Sequence, residues 1–202
     1  MIIKPERRIF IHIPKTGGTS ITQRYVEKYK INAKLGVSNH PFILYDDSTR
    51  VAKTEWHFTY DRAYMQFPNY EYFTVIRNPV DRWISTYKHF YMRDFMQEGI
   101  EEWTEKVIRT LPVFDFFDAS HEQYKTAIGA YSIHYKFFWP QWMYYREPEV
   151  KVHTIDTIWE ALDLKPQHKK KGINIPKFHR NIIKEMIYNY YRKDFERWQT
   201  IE

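Results

Sequence analysis

The segment Phe10-Ile11-His12-Ile13-Pro14-Lys15-Thr16-Gly17-Gly18-Thr19-Ser20 constrains this chain more than any other. Arg8 to Ile13 is a short, mostly apolar run with β-branched residues, which reads as a strand. Pro14 ends it. From Ile21 to Tyr29 the apolar residues Ile21, Tyr25 and Val26 fall on one face of a helix. A strand that turns through a lysine and two glycines into a helix is the layout of an anion cradle. The glycines let the backbone approach an oxyanion, and the first N–H groups of the helix point at it along the helix dipole. Lys15 sets a positive charge at the mouth of the loop, and Thr19 and Ser20 add hydroxyl donors. The order differs from the ATP-binding pattern G-x-x-x-x-G-K-[ST], because Lys15 precedes both glycines and no earlier glycine stands in the loop.

The same layout recurs downstream. Tyr72 to Ile76 is a second short apolar strand, Arg77-Asn78-Pro79 is its exit, and Val80 to Met92 has helical spacing. Arg77 offers a planar fork suited to a phosphate. Pro79 suits the first turn of a helix, where its missing N–H costs nothing. Ser85 lies roughly two turns further on, and Arg82 shares its face, where a structural ion pair is the plainer role. Val150 to Ile155 alternates like a strand, with Asp156 as cap of a helix from Thr157 to Leu164. Helical patterns dominate Phe95 to Tyr145. Asn181 to Trp198 reads as one amphipathic helix with Ile182, Met186, Tyr190 and Tyr191 toward the core. Strands alternating with helices predict an α/β fold, with a P-loop-type parallel β-sheet flanked by α-helices and a helix-rich second half. Ligands in such sheets bind at the carboxyl ends of the strands, where both marked turns lie. The length of 202 residues fits a single domain over 1–202.

Composition narrows the function. A net charge of +6 attracts anions: nucleic acid, a polyanionic glycan or a multiply phosphorylated nucleotide. The absence of cysteine excludes disulfides, thiolate metal sites and a cysteine nucleophile, and leans toward a cytoplasmic protein. Met1 to Phe10 is too charged for a signal peptide, and no apolar run reaches transmembrane length. A kinase or NTPase would need an aspartate after a strand, whereas the clearest second strand ends in Arg77. A non-catalytic polyanion-binding module fits the charge, but no nucleic-acid-binding signature is present.

Phe10 to Ser20 resembles the 5′-phosphosulfate loop of sulfotransferases that use 3′-phosphoadenosine-5′-phosphosulfate (PAPS), in particular the carbohydrate enzymes related to heparan sulfate and chondroitin uronyl sulfotransferases and their bacterial homologues. Tyr72 to Tyr87 resembles that family's 3′-phosphate segment, R-[ND]-P-x-x-R-x-x-S-x-Y, at every defined position. The resemblance implies PAPS as donor, 3′-phosphoadenosine-5′-phosphate (PAP) as product, no metal, and an acceptor hydroxyl on a carbohydrate. It implies that Lys15 contacts the leaving phosphate while Thr16, Gly17, Gly18, Thr19 and Ser20 hold it. Arg77 and Ser85 would hold the 3′ phosphate. Ile175-Pro176-Lys177-Phe178-His179-Arg180 resembles an L-P-x-x-N-R segment that closes over the nucleotide, which brings in Arg180, with His179 where the family has Asn. The acceptor must lose a proton, which calls for a general base. His57, in Trp56-His57-Phe58-Thr59-Tyr60, resembles the histidine of a G-H-[FY]-x-[YF] segment. Glu55 and His134 are the alternatives. His134 and Gln141, in a stretch resembling H-x-x-x-P-Q, are expected to contact the acceptor, and Lys169-Lys170-Lys171 reads as a solvated loop.

Overall fold

Three short apolar runs and the chain start build one sheet. The computed structural model describes residues 1–29, 57–92, 98–111, 136–166 and 174–201. Strands β1 (Ile2–Ile3), β2 (Arg8–Ile11), β3 (Glu71–Ile76) and β4 (Val150–Thr154) lie in that order across a four-stranded sheet. The helices are α1 (Gly18–Lys28), α2 (Tyr60–Tyr64), α3 (Pro79–Tyr91), α4 (Ile100–Thr110), α5 (Ile158–Ala161), α6 (Arg180–Tyr188) and α7 (Arg192–Ile201). β1 is antiparallel to β2, while β2, β3 and β4 run parallel. This is the mixed α/β fold, with a mostly parallel sheet flanked by helices, that the strand–helix alternation predicts. No described helix is long and apolar enough to cross a membrane.

The chain groups into two compact units. The first comprises Met1–Arg77 and Gln141–His168 and contains the whole sheet. Its β2–β3 register pairs Phe10 with Phe73 and Ile11 with Thr74. The two phenylalanine rings stack at 5.3 Å, and together with Val75 they bury against Ile21 and Tyr25 of α1 and Ile158 and Trp159 of α5. Thr74 is fully buried and donates its hydroxyl to the Ile11 carbonyl at 2.8 Å, so its polar atom costs nothing in the core. Glu6, in the turn between β1 and β2, accepts from Lys28 at 2.8 Å and from the hydroxyls of Tyr25 and Tyr29 at 3.1 and 2.7 Å. That carboxylate ties the end of α1 back to the sheet.

The second unit comprises Asn78–Pro140 and Lys169–Glu202. Asn78 caps α3: its Oδ1 accepts from the N–H groups of Val80 at 3.0 Å and Asp81 at 3.4 Å, with Pro79 in the first turn. Trp83, Tyr87 and Phe90 of α3 pack on Trp103 of α4, on Phe138, and on Ile183, Ile187 and Tyr191. Trp83 donates its indole N–H to the buried Thr104 hydroxyl at 2.8 Å, which lets a tryptophan lie fully inside.

The C-terminal region departs from the sequence expectation. One helix over Asn181 to Trp198 is in fact α6 and α7, interrupted at 189–191. Asn is a poor helix former, and the aromatic pair after it loses rotamer freedom in a helix. Tyr191 instead anchors inward and donates its hydroxyl to the Phe138 carbonyl at 2.7 Å. The buried stripe is Ile183, Ile187, Tyr191 and Phe195, and Ile182 is 40% exposed. Asp156 is also not the cap of α5. Thr157 holds that position, and Thr154 and Thr157 exchange hydrogen bonds between their hydroxyls and main-chain N–H groups.

Truncating the buried side chain should therefore cost far more than truncating its neighbour. Ile183→Ala is expected to lose about 2–5 kcal/mol in urea unfolding, and Ile182→Ala no more than about 0.5 kcal/mol. Equal losses would put Ile182 back into the core.

Candidate active site

The loop after β2 is built from two positive-φ residues around a buried threonine. Lys15 has φ 68° and Gly17 φ 108°. A left-handed lysine costs roughly 1–2 kcal/mol, and it persists only where its surroundings over-determine it. Thr16 does so: it is 1% exposed, and its hydroxyl donates to the Ile13 carbonyl at 3.0 Å, closing the turn. Gly17 is needed for its φ and because a Cβ there would come within 2.7 Å of the Ile155 side chain. Gly18 is needed for space alone, since a Cβ there would lie 2.0 Å from Nε2 of His12. The N–H groups of Ser20 and Ile21 turn back to the Gly17 carbonyl at 2.9 and 3.3 Å. By helix geometry Gly18 and Thr19 have no helix carbonyl to reach, so their N–H groups point out of the helix start at the mouth of the loop. Thr19 is exposed there, and Lys15 and Ser20 are half-buried.

Arg77 is the first residue past β3, and its guanidinium lies on the glycine loop. Its Nη1 donates to the Lys15 carbonyl at 3.3 Å. The parallel register makes this possible, because β2 and β3 end on the same side of the sheet. The Arg77 main chain is held by Gln141: Arg77 N–H donates to Oε1 at 2.9 Å, and Nε2 donates to the Arg77 carbonyl at 2.8 Å. Gln141 is 1% exposed. Its amide is turned into the protein and engaged with the Arg77 main chain.

Two histidines stand beside the loop. His57 Nδ1–H donates to the His12 carbonyl at 2.8 Å. That bond fixes the tautomer and leaves Nε2 as the basic nitrogen. The His57 ring meets the His12 ring edge-on at 4.7 Å, and His12 stacks on Phe10 at 5.6 Å. Nδ1 of His12 is buried and makes no hydrogen bond among the described residues. His12 is half-buried, but the desolvation of its ring, followed by repulsion from His57, the Met1 amino group and Lys15, holds it well below the ordinary imidazole range, so it stays neutral. His12 is thus a packing residue that fills the space over Gly18.

The remaining residues lie in the second unit or outside the described residues. Ser85 is half-buried on α3. Arg82 is 3% exposed and donates to the Phe137 carbonyl at 3.0 Å, a structural role. Arg180 opens α6, with Nη1 at 2.6 Å from Asp81 and Nη2 at 3.4 Å from Oδ1 of Asn78. His134, Glu55 and Lys169 to Lys171 lie outside the described residues. The sequence reading missed the cap made by Asn78, for which Asn-Pro was an available signal. It also missed the His12–Gly18 contact and the Gln141–Arg77 pairing, which no local pattern announces. Among the described residues no group of three or more histidine, aspartate and glutamate side chains could hold a metal ion.

A profile described as the sulfotransferase family matches residues 1–125, more than half of the 202 residues, and the chain belongs to that family. No curated protein and no solved structure matches it. The chain is therefore a transferase of sulfuryl groups, and its acceptor carries a hydroxyl.

Two outcomes follow from the loop. Gly18→Ala should destabilise the protein by about 1–3 kcal/mol through overpacking against His12, and pairing it with His12→Ser should recover part of that loss in chemical denaturation. No recovery would mean that the imidazole is not what the Cβ meets. The depressed His12 also sets a pH dependence. The unfolded chain takes up a proton below about pH 6.5 that the folded chain refuses. Stability is then complete above that value and falls as pH drops below it. The urea midpoint should decline progressively as pH falls below about 6.5, and His12→Asn should flatten that decline.

Proposed function

We propose that this chain transfers the sulfuryl group of PAPS to a carbohydrate hydroxyl, with Lys15 and Arg77 as the two cations that grip the donor. The observation that carries the reading is the 3.3 Å contact from the Arg77 guanidinium to the Lys15 carbonyl. It sets a bidentate anion-binding group beside a glycine-bearing helix start. A nucleotide phosphorylated at both its 5′ and 3′ positions needs two such groups at neighbouring strand ends. Lys15, with the N–H groups of Gly18 and Thr19, suits the 5′ phosphate, and Arg77 suits the 3′ phosphate. Thr16 to Ser20 complete the cradle, and Ser85 and Arg180 are assigned to the donor from their motifs. The carbohydrate acceptor rests on the likeness of both motifs to carbohydrate sulfotransferases.

Transfer is an in-line displacement in which the acceptor oxygen bonds to sulfur as the sulfur–oxygen bond to the 5′ phosphate breaks. Negative charge grows on that departing oxygen, and the Lys15 ammonium neutralises it. The acceptor proton goes to Nε2 of His57, whose orientation is fixed by its bond to the His12 carbonyl. Neutral His12 adds no competing charge beside the base.

Thermal-shift measurements with PAP and with magnesium-ATP test the reading. PAP should stabilise the protein, by about 2.7 kcal/mol at a hundredfold excess over Kd, and Arg77→Ala should abolish that gain. Stabilisation by magnesium-ATP with none by PAP would overturn the proposal in favour of a phosphoryl-transfer enzyme. His57→Ala should lower turnover by about 10²–10⁴-fold with PAP binding intact, and unchanged turnover would remove His57 as base.

A further inference from the structure

The β3–β4 ladder ends where Ile76 faces Thr154, so Arg77 is the first residue with no strand partner in that register. Its N–H and C=O are instead paired by a side chain distant in sequence. The Gln141 amide supplies an acceptor at 2.9 Å and a donor at 2.8 Å, the same two groups that a neighbouring peptide unit would offer. Glutamine and asparagine are the side chains that carry both groups on one planar amide. Gln141 opens a 3₁₀ turn, Gln141–Tyr144, whose Met143 and Tyr144 are buried, and Gln141 itself is 1% exposed. The amide is therefore presented from a packed base and cannot swing out to solvent without unmaking both of its hydrogen bonds to the Arg77 main chain. At the other end of the arginine, Nη1 meets the Lys15 carbonyl. The flexible Arg77 is thus fixed at three points: both main-chain groups and the guanidinium.

We infer that Gln141 is a positioning residue that makes the site selective for a nucleotide carrying a ribose 3′ phosphate, by locking the main chain of Arg77 so that its guanidinium fork is pre-aimed. The inference rests on the reading of Arg77 given under Proposed function. A fork grips a phosphate through two parallel bonds, and that geometry tolerates little error. A side chain that starts from a frayed strand end would have to be ordered by the ligand at each binding event, whereas one that starts from a clamped main chain is already ordered. Gln141 touches neither phosphate in this scheme and acts through Arg77 alone.

The test uses PAP and adenosine 5′-monophosphate, which differ in the 3′ phosphate only, in calorimetric titrations of the wild type and Gln141→Met. Methionine keeps the length of the side chain and removes both hydrogen bonds. The wild type should prefer PAP. The variant should lose about 10- to 100-fold of that preference, while affinity for the monophosphate holds. An equal loss for both ligands would make Gln141 a general structural support and overturn the inference. A preference kept intact in the variant would overturn it too, leaving the role of Arg77 untouched. Absence of any preference in the wild type would remove the Arg77 assignment and this inference with it. If Gln141→Met does not fold, amide exchange in the wild type decides. An Arg77 N–H as protected as those of β3, and more so with PAP than with the monophosphate, supports the inference, and exchange at the rate of an exposed amide overturns it.

Discussion

The parallel pairing of β2 with β3 is the constraint on which the site depends. Side chains alternate along each strand, so a slip of one residue would turn Phe10 and Phe73 away from α1 and bring polar atoms into the core. The register is held by the stacked phenylalanine pair and by Thr74, whose hydroxyl bonds to the Ile11 carbonyl and would be orphaned in any other alignment. With that register fixed, both strands end on one side, and the chain that leaves each is a turn carrying a cation. Lys15 and Arg77 are 62 residues apart in sequence and in contact in space because of it.

Around these turns the protein uses absent atoms as deliberately as present ones. The missing Cβ of Gly18 is the space that the His12 imidazole fills, and the missing Cβ of Gly17 admits Ile155. His12, its Nδ1 buried, packs beside Lys15 and His57, a setting in which an imidazolium would be costly, and it remains neutral. Its main-chain carbonyl meanwhile orients His57. One residue thus shapes the loop, spares the local charge and sets the tautomer of its neighbour, which couples the packing of the strand exit to the chemistry proposed there.

The second unit illustrates how aromatic residues, 19% of the chain, are accommodated. Trp83, Trp103, Phe90 and Phe138 share one cluster with tilted, stacked and edge-on contacts, and the polar handles of Trp83 and Tyr191 each find an oxygen. The weak helix propensity at Asn189 and the inward anchoring of Tyr191 together set where α6 stops and α7 begins. The break comes where Tyr191 must turn inward.

By itself the sequence determined what depends on neighbours along the chain. The strands are short apolar runs, the turns are marked by Pro14, Gly17, Gly18 and Pro79, and the helices begin where those turns release the backbone. The alternation of strand and helix was enough to specify the α/β class, and two cation-bearing exits marked the place of the proposed donor site. Tertiary structure alone decided the contacts between residues far apart: the amide of Gln141 on Arg77, the imidazole of His12 over Gly18, and the choice of Ile183 over Ile182 for the core. Periodicity reports which residues can share a face, but which face is buried, and which distant side chain completes a strand end, depends on packing that local pattern does not encode.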